Sequence, residues 1–119
     1  MYSMEWLVDR VRFHLEPERA IFLAQSAGEI VGHTIVRVEQ EEGETFGLFS
    51  TTYVVPAERR SGHARALLDR GELWMRERHL PWAATYTSNQ NVKLIRLYES
   101  RGYEIDLRSD EMVRLRRVL

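Results

Sequence analysis

The chain has 119 residues, 44% of them hydrophobic, which suits one compact domain over residues 1–119 with a buried core. Its 17 basic and 18 acidic residues leave a formal charge of −1, so no global positive field holds a nucleic acid backbone or an anionic membrane, and neither partner is expected. The absence of cysteine excludes disulfides, thiolate zinc sites and a cysteine nucleophile, and the four scattered histidines form no ligand-like pair, so no metal is expected.

Residues 4–15 place Met4, Leu7, Val8, Val11 and Leu15 at helical spacing, with Glu5, Asp9, Arg10 and Arg12 on the other side, and predict a short amphipathic helix. Asp9 and Arg10 cut short any signal-peptide core, and no stretch approaches the ~20 apolar residues of a membrane span, so a soluble, cytoplasmic protein is the expectation. After Pro17, residues 21–25 and 30–38 are β-rich runs around a turn containing Gly28, a predicted antiparallel hairpin. The strongly acidic residues 39–44 read as an exposed connection to a further strand over 45–55, which ends at Pro56.

From Gly62 the period changes. Ala64, Leu67, Leu68, Gly71, Trp74 and Met75 lie three or four apart and predict a helix, with Arg65, Asp69, Arg70, Glu72 and Arg76 facing elsewhere. Residues 82–87 read as a buried strand and residues 91–101 as a second helix, whose apolar side carries Leu94, Ile95, Leu97 and Tyr98. Gly102 stops that helix, and Tyr103 is placed to fold back on its last turn. Residues 103–107 and 112–118 predict a terminal hairpin.

The segment from Val54 to Arg65 joins a strand to a helix. A helix start exposes backbone N–H groups at a positive dipole end, and Gly62 removes the side chain that would block an approaching diphosphate. Ser61 and Ala64 keep the turn tight, while Arg59, Arg60 and Arg65 are candidates for charge-assisted phosphate contacts. Alone, such residues more often mark a helix merely capped by Ser61 beside solvated arginines, because serine caps are common. His63 is expected to face solvent.

Arg59-x-x-Gly62-x-Ala64 resembles the Gln/Arg-x-x-Gly-x-Gly/Ala signature of the GNAT superfamily of acetyl-CoA-dependent N-acetyltransferases, behind a strand ending Tyr53-Val54-Val55-Pro56. A second motif follows in order: Asn91 to Tyr103 looks like the family's asparagine-initiated helix ending in Gly-Phe/Tyr. The resemblance implies an α/β fold with a mixed, twisted central sheet that splays open between strands 45–55 and 82–87, with helices on both faces. It also implies acetyl-CoA as co-substrate. The backbone of Thr52, Tyr53 and Val54 would pair with the pantetheine arm, and the amides of Arg60, Ser61, Gly62, His63, Ala64 and Arg65 would cradle the pyrophosphate. Asn91 would hydrogen-bond the arm, and Tyr98 would point at the sulfur.

Acyl transfer to an amine needs an unprotonated nucleophile, a donor for the developing oxyanion and a stabiliser for the leaving thiolate. A backbone N–H near Tyr53 or Val54 is the candidate oxyanion donor, and Tyr98 is the candidate partner of the thiolate. Some family members carry a glutamate five residues before the helix asparagine, where this chain has Tyr86. His33, Glu44 or a water held by Ser50 and Thr87 remain as candidate bases. The family ordinarily has a further strand and helix before the first hairpin, whereas only residues 1–20 precede it here. The acceptor wall is then partly absent or comes from a second subunit, and apolar groups left exposed, such as Trp6, Phe13 or Trp82, would favour a homodimer. The acidic residues 39–44 would suit a cationic acceptor, a small-molecule or peptide amine. Two other functions fit parts of the pattern: an acyl-CoA-binding regulatory module without a base, and an interaction module using the sheet edge.

Overall fold

The structure, a computed structural model, describes residues 18–59 and 62–119. The helix expected over residues 4–15, with Trp6 and Phe13, lies outside them, as do Arg60 and Ser61. The elements run β1 (Arg19–Ser26), β2 (Glu29–Glu41), β3 (Glu44–Val54), a short 3-10 turn (Pro56–Glu58), α1 (His63–Glu77), β4 (Trp82–Ser88), α2 (Val92–Glu99), β5 (Glu104–Arg108) and β6 (Met112–Val118). They form one six-stranded sheet in the order β1-β2-β3-β4-β6-β5. Only β3 and β4 run parallel, joined by the crossover through α1.

The acidic stretch is not the loop its composition suggested. β2 continues through Glu41 and pairs it with Glu44, so that only Glu42 and Gly43 turn the chain. Both have positive φ, 51° and 82°, the geometry of a two-residue hairpin turn that matches strand twist. A ladder already in register carries the glutamates outward, and strand periodicity overrides their low β-propensity.

Both described helices pack on the same face of the sheet. There Val36, Phe49, Ala83, Val113 and Leu115 meet Leu67, Leu68, Trp74 and Met75 of α1 and Tyr98 of α2, all buried. Each large apolar side chain so covered contributes roughly 1.5–3 kcal/mol. A smaller cluster, Phe46, Leu48, Trp82 and Ala84, lies apart from this core, with Phe46 stacked on Trp82 at 4.0 Å. Trp82 is 4% exposed and sits under Arg114 and Arg116, so it is not the bare apolar group that the short N-terminal region suggested.

Gly71 lets α1 lie close to the sheet. A Cβ there would fall 2.8 Å from Phe49 Cζ and 3.0 Å from Val36 Cγ1, closer still to the rest of the ring. Gly71→Ala should therefore destabilise the fold by about 1–3 kcal/mol in denaturant unfolding, despite the better helix propensity of alanine. A gain in stability would show that the ring moves aside freely.

Candidate active site

β3 and β4 pair over three positions only, Gly47 with Ala83, Leu48 with Ala84 and Phe49 with Thr85, and then part. The reason lies in β3 itself. Its register with β2 shifts from Thr51 opposite Ile35 to Phe49 opposite Val36, leaving Ser50 as an extra residue. Such a bulge bends and twists its strand. It also changes which side chains share a face: Phe49 and Thr52 are three residues apart, yet both reach Tyr98. The splayed opening expected from the sequence is present.

Backbone alternation decides which groups face it. Val55 N donates to Val31 O, so the 55/31 and 53/33 pairs are the hydrogen-bonded pairs of the β2–β3 ladder. Tyr53 thus turns its amide toward β2, while Thr52 and Val54 turn N–H and C=O toward the opening. Of the two expected oxyanion donors, Val54 N–H is the one so directed. The Val54 carbonyl accepts from Arg59 Nε at 3.0 Å, and the Arg59 guanidinium lies over the Tyr53 ring.

At the start of α1, Gly62 is the N-cap residue with φ 88° and contributes no side-chain cap, so the capping role considered for Ser61 falls to a glycine. Only glycine adopts this left-handed backbone without strain. The first helical bond runs from Ala66 N to Gly62 O, so the amides of His63, Ala64 and Arg65 precede it. A Cβ on Gly62 would meet nothing within 4 Å, leaving the approach to these amides open. Arg59 and Arg65 are exposed beside the turn. His63 does not face solvent: it is 3% exposed, with Nε2 3.1 Å from Glu58 Oε1. The side chain turns in because His63 lies four residues before Leu67, on the apolar stripe of α1, a spacing that the sequence already offered.

Tyr98 is fully buried on the inner face of α2. Gly102 (φ 90°) ends the helix and Tyr103 N bonds back to Tyr98 O at 3.1 Å, which brings the Tyr103 ring edge-on to Tyr98 at 4.9 Å, the fold-back the sequence predicted. Its hydroxyl lies 3.4 Å from Thr52 Oγ1, which is 2.7 Å from Thr34 Oγ1. Burial pushes the Tyr98 phenol up to about 12. Its folded value thus stands above the ordinary 10, so the stabilisation it brings is complete below about pH 10 and is lost as pH rises toward about 12. Tyr103 shifts upward too, through burial and then the Glu72 carboxylate. Unfolding free energy measured by denaturant should therefore fall across this alkaline window, and fall less in Tyr98→Phe; equal slopes would show that Tyr98 ionises as easily folded as unfolded.

Asn91 is exposed and caps α2, its Oδ1 accepting from Leu94 N at 3.3 Å. Among the candidate bases, His33 pairs across the ladder with Tyr53, and Ser50 Oγ donates to the Ile35 carbonyl at 3.2 Å. Thr87 is buried in β4. Glu44 begins β3, far from the opening, and lines a separate cavity of about 390 Å³ with Glu41, Phe46, Trp82 and Arg114. Tyr86 donates to Glu41 Oε1 at 2.6 Å. Among the described residues, no group of three or more His, Asp or Glu is arranged to hold a metal ion.

Sequence reasoning missed Glu72. Read as a residue of the polar side of α1, it is 1% exposed and accepts from Tyr103 Oη, from Arg101 Nη2 at 2.9 Å and from Arg117 Nη1 at 3.0 Å. Its spacing from Leu68 and Met75, four and three residues, was the available signal, since it places Glu72 on the apolar stripe.

The sequence matches the model of the acetyltransferase (GNAT) family over residues 1–103. It is 36% identical over 85 residues to a mycothiol acetyltransferase of Thermobispora bispora, an alignment covering 69% of this chain and 29% of that protein. The chain thus spans less than a third of the length of the curated relatives it matches. Among solved structures, the PaiA N-acetyltransferase of Thermoplasma acidophilum in complex with coenzyme A superposes with a TM-score of 0.77 at 13% identity, over 86% of this chain and 62% of that one. Arabidopsis thaliana Naa50, bound to a bisubstrate analogue, superposes with a TM-score of 0.71 at 18% identity, over 83% and 72%. These likenesses show a shared fold, and the family match over residues 1–103, on a sheet that opens beside Tyr98, means that the chain belongs to the GNAT acetyltransferase family.

Proposed function

We propose that this chain is an acetyl-CoA-dependent N-acetyltransferase that moves an acetyl group directly to a primary amine of a small molecule or peptide. The observation that carries the reading is the buried Tyr98 hydroxyl at the mouth where β3 and β4 part, beside backbone groups of Thr52 and Val54 that the sheet leaves unpaired. Acetyl-CoA fits these residues: the open edge at Thr52 and Val54 can take an extended amide-bearing arm, and the unblocked amides of His63, Ala64 and Arg65 can take its diphosphate, with Arg59, Arg60 and Arg65 adding charge. Tyr53 flanks the turn, and Asn91 has its side-chain amide available to the arm while its oxygen caps α2.

When bound, acetyl-CoA supplies an activated acyl carbon whose C–S bond breaks, with the electron pair leaving on sulfur. Val54 N–H is placed to donate to oxyanion charge on that carbon. Tyr98 donates to the departing sulfur. A phenol held near 12 is a poor acid toward a thiolate of ordinary basicity, ~8.5, so the hydrogen bond rather than complete proton transfer is its contribution. The amine proton leaves through water, since β3 from Thr45 to Val54 carries no acid.

The acceptor is taken to be a cationic amine. Relatives and neighbours include one named for mycothiol and one bound to a peptide-bearing analogue, so both small-molecule and peptide acceptors belong in the screen. No described helix is long and apolar enough to cross a membrane. We take residues 1–119 as one catalytic domain, cytoplasmic, with a homodimer that would wall the acceptor beside β1, the edge strand of the described sheet; sedimentation at micromolar concentration reads that last point.

The deciding experiment is acetyl-CoA turnover across amines and peptide N-termini, reading free thiol. Release that depends on amine supports the enzyme. CoA binding without release under every amine supports the regulatory module instead. For the turn, Gly62→Glu should abolish the rise in melting temperature that CoA gives, a stabilisation of ~2.7 kcal/mol at ~100 times Kd. Gly62→Ala carries the same left-handed backbone strain, roughly 1–2 kcal/mol, without the carboxylate, and should keep most of that rise. Equal CoA responses in the two variants would place the diphosphate elsewhere.

A further inference from the structure

Three hydroxyls run inward from the opening. Thr34, fully buried in β2, donates its hydroxyl proton to Thr51 O at 2.9 Å and lies 2.7 Å from Thr52 Oγ1, which in turn lies 3.4 Å from Tyr98 Oη. A hydroxyl has one proton and two lone pairs, so these contacts fix the direction of the bond between Thr34 and Thr52 and what Thr52 can offer Tyr98. Thr34 has committed its proton to a backbone carbonyl. Toward Thr52 it can only accept, which makes Thr52 the donor of that bond. Thr52 then has no proton left for Tyr98 and can only accept from it. We propose that Thr34 is a positioning residue for Tyr98: by holding the Thr52 proton, it keeps Thr52 from donating to the phenol oxygen and leaves it, like Thr85, whose hydroxyl donates to Phe49 O at 3.1 Å, only an acceptor for the Tyr98 O–H.

Two consequences follow for chemistry. The chain ends on the Thr51 carbonyl, which has no proton to give, so it cannot relay protons to Tyr98 from solvent. Any charge that develops on the Tyr98 oxygen as it donates to a leaving group draws on Thr52 only if the short bond between Thr52 and Thr34 is broken first. Thr34 thus sets how acidic Tyr98 is, from two residues away and without touching it. The charged groups that face Tyr98 are Glu72 of α1, which disfavours its ionisation, and Arg101 beyond the end of α2, which favours it. From the two strands only Thr52 and Thr85 reach it, both through hydroxyls, and the Tyr103 ring closes the remaining side.

The inference deepens the role given to Tyr98 above, and its test reads the phenol itself. Tyr98 is replaced by a difluorotyrosine, whose lower intrinsic pKa brings the titration into a range the fold tolerates, and followed by fluorine NMR. Thr34→Val removes both the acceptor and the competing donor, frees the Thr52 proton for the phenolate, and should lower the pKa at position 98 by about one unit, the worth of one hydrogen bond. Thr34→Ser keeps the hydroxyl and should restore the original value. In Thr34→Val combined with Thr52→Val the lowering should vanish, because no donor is left to be freed. If valine at 34 does not fold, Thr34→Ala reads the same quantity. An unchanged pKa in Thr34→Val, or a lowering that persists in the double variant, overturns the proposal, since a packing role for Thr34 predicts the first and a general rearrangement the second. The alkaline limb of kcat supplies the separate check: a shift by NMR that the limb does not follow leaves Thr34 as the positioning residue and removes Tyr98 from the reaction.

Discussion

Glu72→Ala is expected to lower the unfolding free energy by about 3–5 kcal/mol, the largest stability effect of any single exposed-looking position in the sequence. The carboxylate is buried within α1 and holds three donors from other elements: Tyr103 behind α2, Arg101 at the end of the same helix, and Arg117 in β6. Removing it leaves the buried Tyr103 hydroxyl without its acceptor, while Arg101, 14% exposed, loses one of two carboxylates and keeps Asp69 Oδ1 at 2.6 Å. Arg117, at 32% exposed, can turn to solvent and adds less. Arg76, at 3.9 Å and near the surface, adds little. Glu72→Gln retains an acceptor for Tyr103 and separates the hydrogen bonds from the charge; it should fall between wild type and alanine. Denaturant melts of both variants provide the measurement, and a loss under 1 kcal/mol for alanine would mean that the network contributes no more than a surface ion pair.

Tyr98→Phe should reduce kcat by ~10²-fold with an amine that turns over, while CoA affinity changes little. The ring is what packs, against Phe49 at 5.9 Å and Tyr103 at 4.9 Å, and phenylalanine keeps it. The hydroxyl lies a long 3.4 Å from Thr52 and is also reached by the Thr85 hydroxyl, and its single proton makes one neutral bond at a time, so its loss should cost about 1 kcal/mol. Because the interaction with sulfur strengthens only as the C–S bond breaks, the deficit belongs in kcat rather than in ligand affinity. The assay must be run where chemistry limits turnover, tested by a burst or by viscosity dependence. Full activity in a folded Tyr98→Phe protein would reduce Tyr98 to a core aromatic.

Much of the fold could be read in the chain because its elements obey simple periods. The strands over 82–87 and 112–118, the helix from Gly62 and the Gly102–Tyr103 stop stand within a residue or so of where hydrophobic spacing put them. Residues whose role depends on tertiary context were misread. Glu72 and His63 are polar types in buried places, and which face they occupy follows from how α1 is rotated against a sheet built by distant strands. The acidic stretch failed for the converse reason, since cross-strand pairing from Arg37 onward holds Glu39 to Glu41 extended whatever their composition. At the site, the turn and Tyr98 were legible because they sit in short motifs. The hydroxyls of Thr34, Thr52 and Thr85 converge from three strands, and nothing in their sequence spacing announces it.

The extra residue in β3 makes the site depend on the length of that strand. A strand of fixed period two is a counting device, and Ser50 is the one miscount in it. Replacing Ser50 by another residue leaves the count alone, and its exposed side chain leaves room for many choices. Deleting it would leave Phe49 and Thr52 on one face, now two residues apart, but would remove the bend that parts β3 from β4 and let the two strands go on pairing past Phe49. Variation at this point is therefore constrained in length rather than in identity, so a gap here in an alignment would signal a changed site even where every motif residue was retained.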